Sequence, residues 1–177
     1  HNAGIVKVVS ALSSLLKNMA KGFNEKVTVR QELDFLDNYI TIEKIRYIEL
    51  FDVEISVDEP SLYDARIIKL TLQPLVENSI FSGIEPSGKP GLIQIHIFSK
   101  EQVLYISIRD NGVGISEENI ARMLTDTSRV AKNYMSGIGL PNVDRRIKLV
   151  YGPEYGLEID SKVGLYTCVT VSIPLEI

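Results

Sequence analysis

Asn78 follows Glu77 within Leu75-Val76-Glu77-Asn78-Ser79-Ile80, so an amide and a carboxylate stand side by side on an otherwise apolar helical stretch. An amide oxygen is a hard, neutral ligand that suits a Mg²⁺ ion taking its other oxygens from phosphates and water. A second segment, Asp110-Asn111-Gly112-Val113-Gly114-Ile115, comes directly after a strand-like stretch. Asp110 there can accept a hydrogen bond from an exocyclic amine such as that of adenine. Gly112 and Gly114 let the backbone turn tightly and come close to a ligand. The third segment, Gly137-Ile138-Gly139-Leu140, opens a helix, and free backbone amides at a helix start suit phosphate oxygens. Taken singly, each segment also reads as ordinary structure: a solvated helix face, a turn, a loop-to-helix joint. No Gly-Lys-Ser/Thr follows the third segment, so it is not a Walker loop. It also lacks the strand–loop–helix setting of a Rossmann site.

These residues need elements to hold them. Ile5, Val8, Val9, Leu12, Leu15, Leu16 and Met19 recur at helical spacing. Thr28 with Gln31 three residues on forms a capping box for a second helix, striped by Leu33, Leu36, Tyr39, Ile40 and Ile48. The pair suggests a helical hairpin or the end of one. Strict alternation over Phe51–Val57 then predicts a strand, and this change of period near residue 50 marks a candidate domain boundary. Residues 70–83 predict a helix with Pro74 in its first turn. Residues 85–91 predict a loop, and Leu92–Ser99 with Val103–Arg109 a hairpin about Lys100-Glu101-Gln102. Ser116 caps a short helix with Glu117 and Glu118 in its first turn. Residues 125–136 are polar and read as a mobile loop. A helix over 141–150 follows, ending at Tyr151-Gly152, and Leu157–Asp160 with Tyr166–Ile173 make a closing hairpin.

The 177 residues suit one domain, or one with a short appendage, and 45% hydrophobic with 24% charged residues is ordinary for a globular core. A net charge of -4 without a basic stripe argues against a nucleic-acid surface. The single cysteine, Cys168, cannot form an internal disulfide and reads as a small core hydrophobe. No apolar run is long enough to cross a bilayer. The opening His1-Asn2-Ala3 reads as the start of a fragment, so a membrane anchor elsewhere in a parent protein stays open.

The order and spacing of Leu72-Gln73-Pro74-Leu75-Val76-Glu77-Asn78, Asp110–Ile115 and Gly137-Ile138-Gly139-Leu140-Pro141-Asn142-Val143 resembles the ATP-binding domain of sensor histidine kinases. The Leu-Gln-Pro-Leu-Val-Glu-Asn run and Tyr151-Gly152-x-x-Tyr155-Gly156-Leu157 resemble its LytS/YesM-type branch, and the resemblance runs from about Leu12 to Pro174. It implies an α+β Bergerat (GHKL) fold, a two-layer sandwich of a mixed sheet with helices on one face. Residues 1–50 would be the C-terminal part of the dimerisation and phosphoacceptor helices, and 51–177 the catalytic domain. Asn78 would ligate Mg²⁺ between the phosphates of ATP, with Glu77 beside it as a second catalytic residue. Asp110 would bind the adenine amine, Gly112 and Gly114 would shape its pocket, and Thr167 would support that end. Gly137 and Gly139 would anchor a lid in which Arg129 and Lys132 supply charge, and Ser82 would donate to a phosphate.

The resemblance further implies transfer of the γ-phosphoryl to a histidine outside this fragment and onward to a response regulator. The parent would be a possible homodimer, and this chain the cytoplasmic part of an inner-membrane sensor. Neither His1 nor His96 has an acceptor's context. The sequence also departs from the family. Phe81-Ser82-Gly83 stands where Lys-His-Gly is usual, Pro141 where a basic residue is common, and Tyr166 where a glycine precedes the threonine. A degenerate nucleotide-binding or signalling module is therefore the alternative. A self-contained GHKL ATPase is less favoured, because Pro74 occupies the position of the water-activating glutamate.

Overall fold

The computed structural model describes residues 25–125 and 139–177. The expected helix over 5–19, most of the polar loop, Arg129, Lys132 and Gly137 lie outside the described residues. The chain runs β1 (Lys26–Thr28), α1 (Val29–Arg46), β2 (Phe51–Val57), β3 (Arg66–Ile68), α2 (Leu72–Asn78), β4 (Gly91–Lys100), β5 (Val103–Asp110), α3 (Glu117–Thr125), α4 (Gly139–Tyr151), β6 (Gly156–Lys162) and β7 (Tyr166–Pro174).

Alternation builds the sheet. Ile93, Ile95 and Ile97 on β4, Leu104, Ile106 and Ile108 on β5, and Val169, Val171 and Ile173 on β7 all face one side and are buried. Their strand neighbours face outward. The sheet order is β2-β4-β5-β7-β6, with β2 parallel to β4 and every other pair antiparallel. The helices cover the buried face, giving the two-layer α+β sandwich with a mixed sheet. The β4–β5 register places Lys100 opposite Val103. The two turn residues, Glu101 and Gln102, both take left-handed backbone, with φ of 52° and 63°. That handedness matches the twist of a tight hairpin.

Helix α1 starts where the capping box places it. The Gln31 amide donates to Thr28 Oγ1 at 3.2 Å, and the Thr28 amide to Gln31 Oε1 at 2.9 Å. Leu33, Leu36, Tyr39 and Ile40 are buried in the same core as α2, α4 and the sheet. The hydrophobic core runs across the change of period near residue 50. Ile48 departs from the expected stripe: the helix ends at Arg46, and Ile48 is 77% exposed.

Three local features differ from the expectation. The helix expected over 70–83 is α-helical only to Asn78 and then widens into a π-helical turn over Ser79–Ile84, followed by a 3₁₀ turn over Glu85–Ser87. Strands β1 and β3 form a separate antiparallel ribbon, three residues each, too short to show a period. Cys168 is half-buried on the outer face, 3.2 Å from Ser107 Oγ, rather than in the core. Among the described residues, no helix is long and apolar enough to cross a membrane.

Candidate functional site

Asp110 ends β5 on the buried face of the sheet and is 1% exposed. Its Oδ1 accepts the Gly112 amide at 3.0 Å. Burial pushes its carboxyl above the usual carboxylate range, against the Gly112 amide, the Ser79 hydroxyl, the Thr167 backbone and the charge of Arg109, which pull it back. The surroundings are cleared by glycine. A Cβ on Gly83 would stand 2.7 Å from Asp110 Oδ1, and one on Gly112 would stand 2.2 Å from the Gly83 carbonyl carbon. The Val113 amide donates to the Gly83 carbonyl at 2.9 Å. The strand end, its glycine turn and the π-helical turn are therefore locked face to face around one buried carboxylate. A widened turn of this kind re-aims side chains and backbone, and such turns recur at functional sites.

Thr167 lies directly across from Asp110 in the β5–β7 register and is itself buried. Its hydroxyl is 3.2 Å from Ser161 Oγ, which accepts the Ile115 amide at 2.8 Å and donates to the Tyr166 carbonyl at 2.7 Å. Gly114 adopts φ of 69°, and a Cβ there would stand 2.3 Å from the Lys162 carbonyl oxygen. The Gly164 amide donates to the Val113 carbonyl at 2.7 Å. The glycine turn is thus tied to the β6–β7 turn as well. Tyr166, one residue from Thr167, faces the opposite side of the sheet. Its hydroxyl donates to Asp160 at 2.9 Å, and the Arg109 guanidinium lies 3.9 Å from its ring centroid. The replaced glycine therefore puts no bulk beside Asp110.

The first segment stands between the other two. At its start, Gly139 lies against Pro74, 3.5 Å from a would-be Cβ to both the Pro74 Cβ and its carbonyl oxygen. At its far end, Ser79 and Gly83 meet Asp110. Asn78 lies between these ends and is half-buried. Glu77, also half-buried, accepts from Gln73 Nε2 at 3.0 Å and lies within electrostatic reach of Tyr39 and Glu43 on α1. Ser82 is half-buried in the π-helical turn. Phe81 turns toward α1, with its ring 5.9 Å from that of Tyr47 and 5.8 Å from the Arg46 guanidinium. The structure thus gathers Asn78, Asp110, Gly112, Thr167 and Gly139 around α2, while Lys132 and Gly137 lie outside the described residues. Ser79, Gly83 and Ser161 also belong to this constellation. Ser79 and Gly83 sit one and five residues beyond Asn78, and that four-residue spacing is their only trace in the sequence.

Residues 63–177 match the family model described as "Histidine kinase-, DNA gyrase B-, and HSP90-like ATPase", and residues 1–51 match the model described as "Histidine kinase". The sensor histidine kinase YesM of Bacillus subtilis is 34% identical over 96% of this chain and 28% of its own length. The sensor protein LytS of Bacillus anthracis is 26% identical over 85% of this chain and 25% of its own length. This chain therefore spans about a quarter of the curated relatives it matches. Among solved structures, the catalytic domain of histidine kinase ThkA superposes with a TM-score of 0.62 at 18% identity, covering 85% of this chain and 97% of that one. The Acinetobacter baumannii histidine kinase AdeS superposes at 0.61 and 15% identity, over 97% of this chain and 77% of its own. These last two likenesses speak to the fold. The chain belongs to the histidine kinase-, DNA gyrase B- and HSP90-like ATPase family, as an ATP-binding catalytic domain of the sensor histidine kinase type.

Proposed function

We propose that this chain transfers the γ-phosphoryl of Mg-ATP to a histidine on a helix of its parent, outside residues 1–177. The observation that carries this reading is Asp110: a buried carboxylate with glycine on both sides, next to the helix that ends in Asn78. Burial has cost that carboxylate its water, and an exocyclic amine of adenine would give it a further donor. The donor set on α2 fits a hard cation. Among the described residues no three His, Cys, Asp or Glu side chains gather at a metal-sized site. Asn78 would accordingly contribute one amide oxygen, and phosphates and water the rest. When bound, Mg²⁺ neutralises charge on the β- and γ-phosphates.

The chain's own part is positioning. Asp110, Gly112, Gly114 and Thr167 orient the base, and Asn78 orients the metal-bound phosphates. Ser82, Gly137, Gly139 and Lys132 give hydrogen bonds and charge to phosphate oxygens, and Glu77 stands beside Asn78 as the second catalytic residue. The bond from the β–γ bridging oxygen to the γ-phosphorus breaks, a bond from an imidazole nitrogen to phosphorus forms, and ADP leaves. An aspartate of a response regulator then takes the phosphoryl group. In this reading residues 1–50 belong by sequence to the helical dimerisation region of a homodimeric parent, with α1 packed on the catalytic core of 51–177. The chain is the cytoplasmic part of an inner-membrane sensor.

Calorimetry with and without Mg²⁺ tests the reading. Asn78→Ala is expected to remove the Mg²⁺ enhancement of ADP binding more than it weakens ADP alone. Equal enhancement in variant and parent would sink the metal assignment. A specific observation keeps a second reading in view: Phe81 spends its side chain on Tyr47 and Arg46, where relatives usually place a lysine. A nucleotide-binding signalling module without transfer would show tight ATP binding and no label on an added acceptor helix.

A further inference from the structure

Helix α2 is only seven residues long, and its own N-cap residue, Thr71, makes no side-chain cap. The Thr71 hydroxyl instead donates to the Ile68 carbonyl at 2.6 Å. The free amides at this helix start are taken by a residue from another element. Glu32 of α1 accepts the Leu70 amide through Oε2 at 3.0 Å, and the Thr71 and Leu72 amides through Oε1 at 2.7 and 2.9 Å. Glu32 is 2% exposed, so an ionisable side chain has been brought into the core to meet these three donors.

The same loop is gripped from its other side. Arg146 of α4 donates to the Lys69 carbonyl at 2.7 Å and to the Leu70 carbonyl at 3.1 Å. Leu70 is held with φ of 58°, a conformation non-glycine residues rarely adopt unless their surroundings impose it. One carboxylate on α1 thus holds the amides and one guanidinium on α4 holds the carbonyls of a three-residue loop. Six to eight residues further on, α2 delivers Glu77 and Asn78.

We propose that Glu32 is a positioning residue for the nucleotide site. Its carboxylate, with Arg146, sets where α2 begins and how it is rotated, and so couples α1 to Asn78. The proposal rests on the reading that Asn78 serves Mg²⁺. The geometry favours positioning over mere bulk stabilisation. A short helix without its own cap takes its rotation from whatever holds its first amides, and α4, the second gripping element, begins at Gly139 against Pro74 of the same helix. A shift of α1 is carried to Asn78 through three hydrogen bonds, whereas Asp110, which Ser79 meets one residue further on, also keeps its place through β5 and its bond to the Gly112 amide.

The test measures ADP affinity with and without Mg²⁺ in this chain, in Glu32→Gln and in Arg146→Lys. It also follows hydrogen exchange at the Leu70, Thr71 and Leu72 amides. The glutamine offers these amides one acceptor oxygen instead of two, and the lysine keeps the charge without the fork. The expected result for the folded variants is a Mg²⁺ enhancement reduced about tenfold, ADP affinity without Mg²⁺ within about twofold of the parent, and faster exchange at the three amides. Full enhancement in folded Glu32→Gln overturns the proposal. So does an equal loss with and without Mg²⁺, which marks a purely structural role. Should Glu32→Gln fail to fold, Arg146→Lys decides by the same outcomes. A parent chain whose ADP affinity ignores Mg²⁺ overturns the Asn78 reading and this proposal together, whereas intact enhancement in both parent and variant overturns this proposal alone.

Discussion

Asp110 is held in a state that suits binding better than it suits stability. Its desolvated carboxylate makes protein hydrogen bonds to Gly112, Ser79 and Thr167, and burial still wins, leaving its pKa raised. Asp110→Asn keeps the shape and removes the buried charge. The expected outcome is ATP affinity weaker by about 1.5–3 kcal/mol, the worth of a hydrogen bond to a charged group. The empty protein should melt no lower than the parent at neutral pH. Calorimetry and a thermal scan on the same sample check both halves, and unchanged affinity would remove the adenine assignment. The pH dependence follows with its sign. A carboxyl whose folded pKa lies above its unfolded one contributes stability that is fully present below the unfolded value and lost as pH rises through the folded one. Glu32, Glu43 and Asp110 are all raised, each chiefly by burial. Part of the empty chain's stability should therefore fall as pH climbs from about 4 upward. ATP affinity should move the other way, because the amine needs the ionised acceptor. Asp110→Asn should flatten the trend in affinity and leave the part of the stability trend that Glu32 and Glu43 carry, which melting and binding series across pH would show.

At the scale of elements, the β4–β5 turn is a place where the sequence works against the fold. Glu101 and Gln102 both sit in left-handed backbone without being glycine or asparagine. Replacing them with Asn and Gly is expected to raise stability by about 1–2 kcal/mol, read as a shift in urea midpoint without a change in slope. The hairpin itself was legible from alternation, as were β2, β7, the capping box at Thr28 and the helix ending at Tyr151. Each depends on a period or a cap that neighbouring residues write locally. What escaped was written elsewhere in the chain. The β1–β3 ribbon pairs segments some 40 residues apart that have three residues each. The π-helical turn after Asn78 has the composition of an ordinary helix, and its widening is visible only where Gly83 must meet Asp110 and Val113. Glu32 carries no local sign of its role, since nothing near it announces that residues 70–72 will cover it. For the site, Asp110 and its glycines were readable because turn chemistry is local. Ser79 and Ser161 were not, because a serine acquires a role only from its spatial neighbour.

For the molecule as a whole, the proposed transfer turns on which imidazole can serve as acceptor. Among the described residues the only imidazole is His96, exposed on β4, whose Nε2 is 2.7 Å from Asp58 just past β2. This chain is therefore expected to take no stable label from ATP by itself, yet to label a separately supplied upstream helix bearing the acceptor histidine. Lasting label on the chain alone would refute this. Phe81→Lys with Ser82→His should raise the transfer rate by adding donors near the phosphates. The same change gives up the Phe81–Tyr47 ring contact, so it should cost about 0.5–1.5 kcal/mol of stability. Timed phosphotransfer beside a melting curve separates the gain from the loss.

The ribbon that starts the described fold has a consequence in time. Lys26 on β1 bonds Glu176 at 2.7 Å, across 150 positions of chain. The Arg66 amide on β3 donates to the Glu176 carbonyl at 2.7 Å. A ribosome adding about 5–20 residues per second leaves Lys26 waiting roughly 8–30 s for that partner. Through that interval α1 has been made, while Arg146 and the strands that bury its stripe are still arriving. The nascent helix spends those seconds with its apolar face uncovered. Late closure of the fold is then written into the order of synthesis.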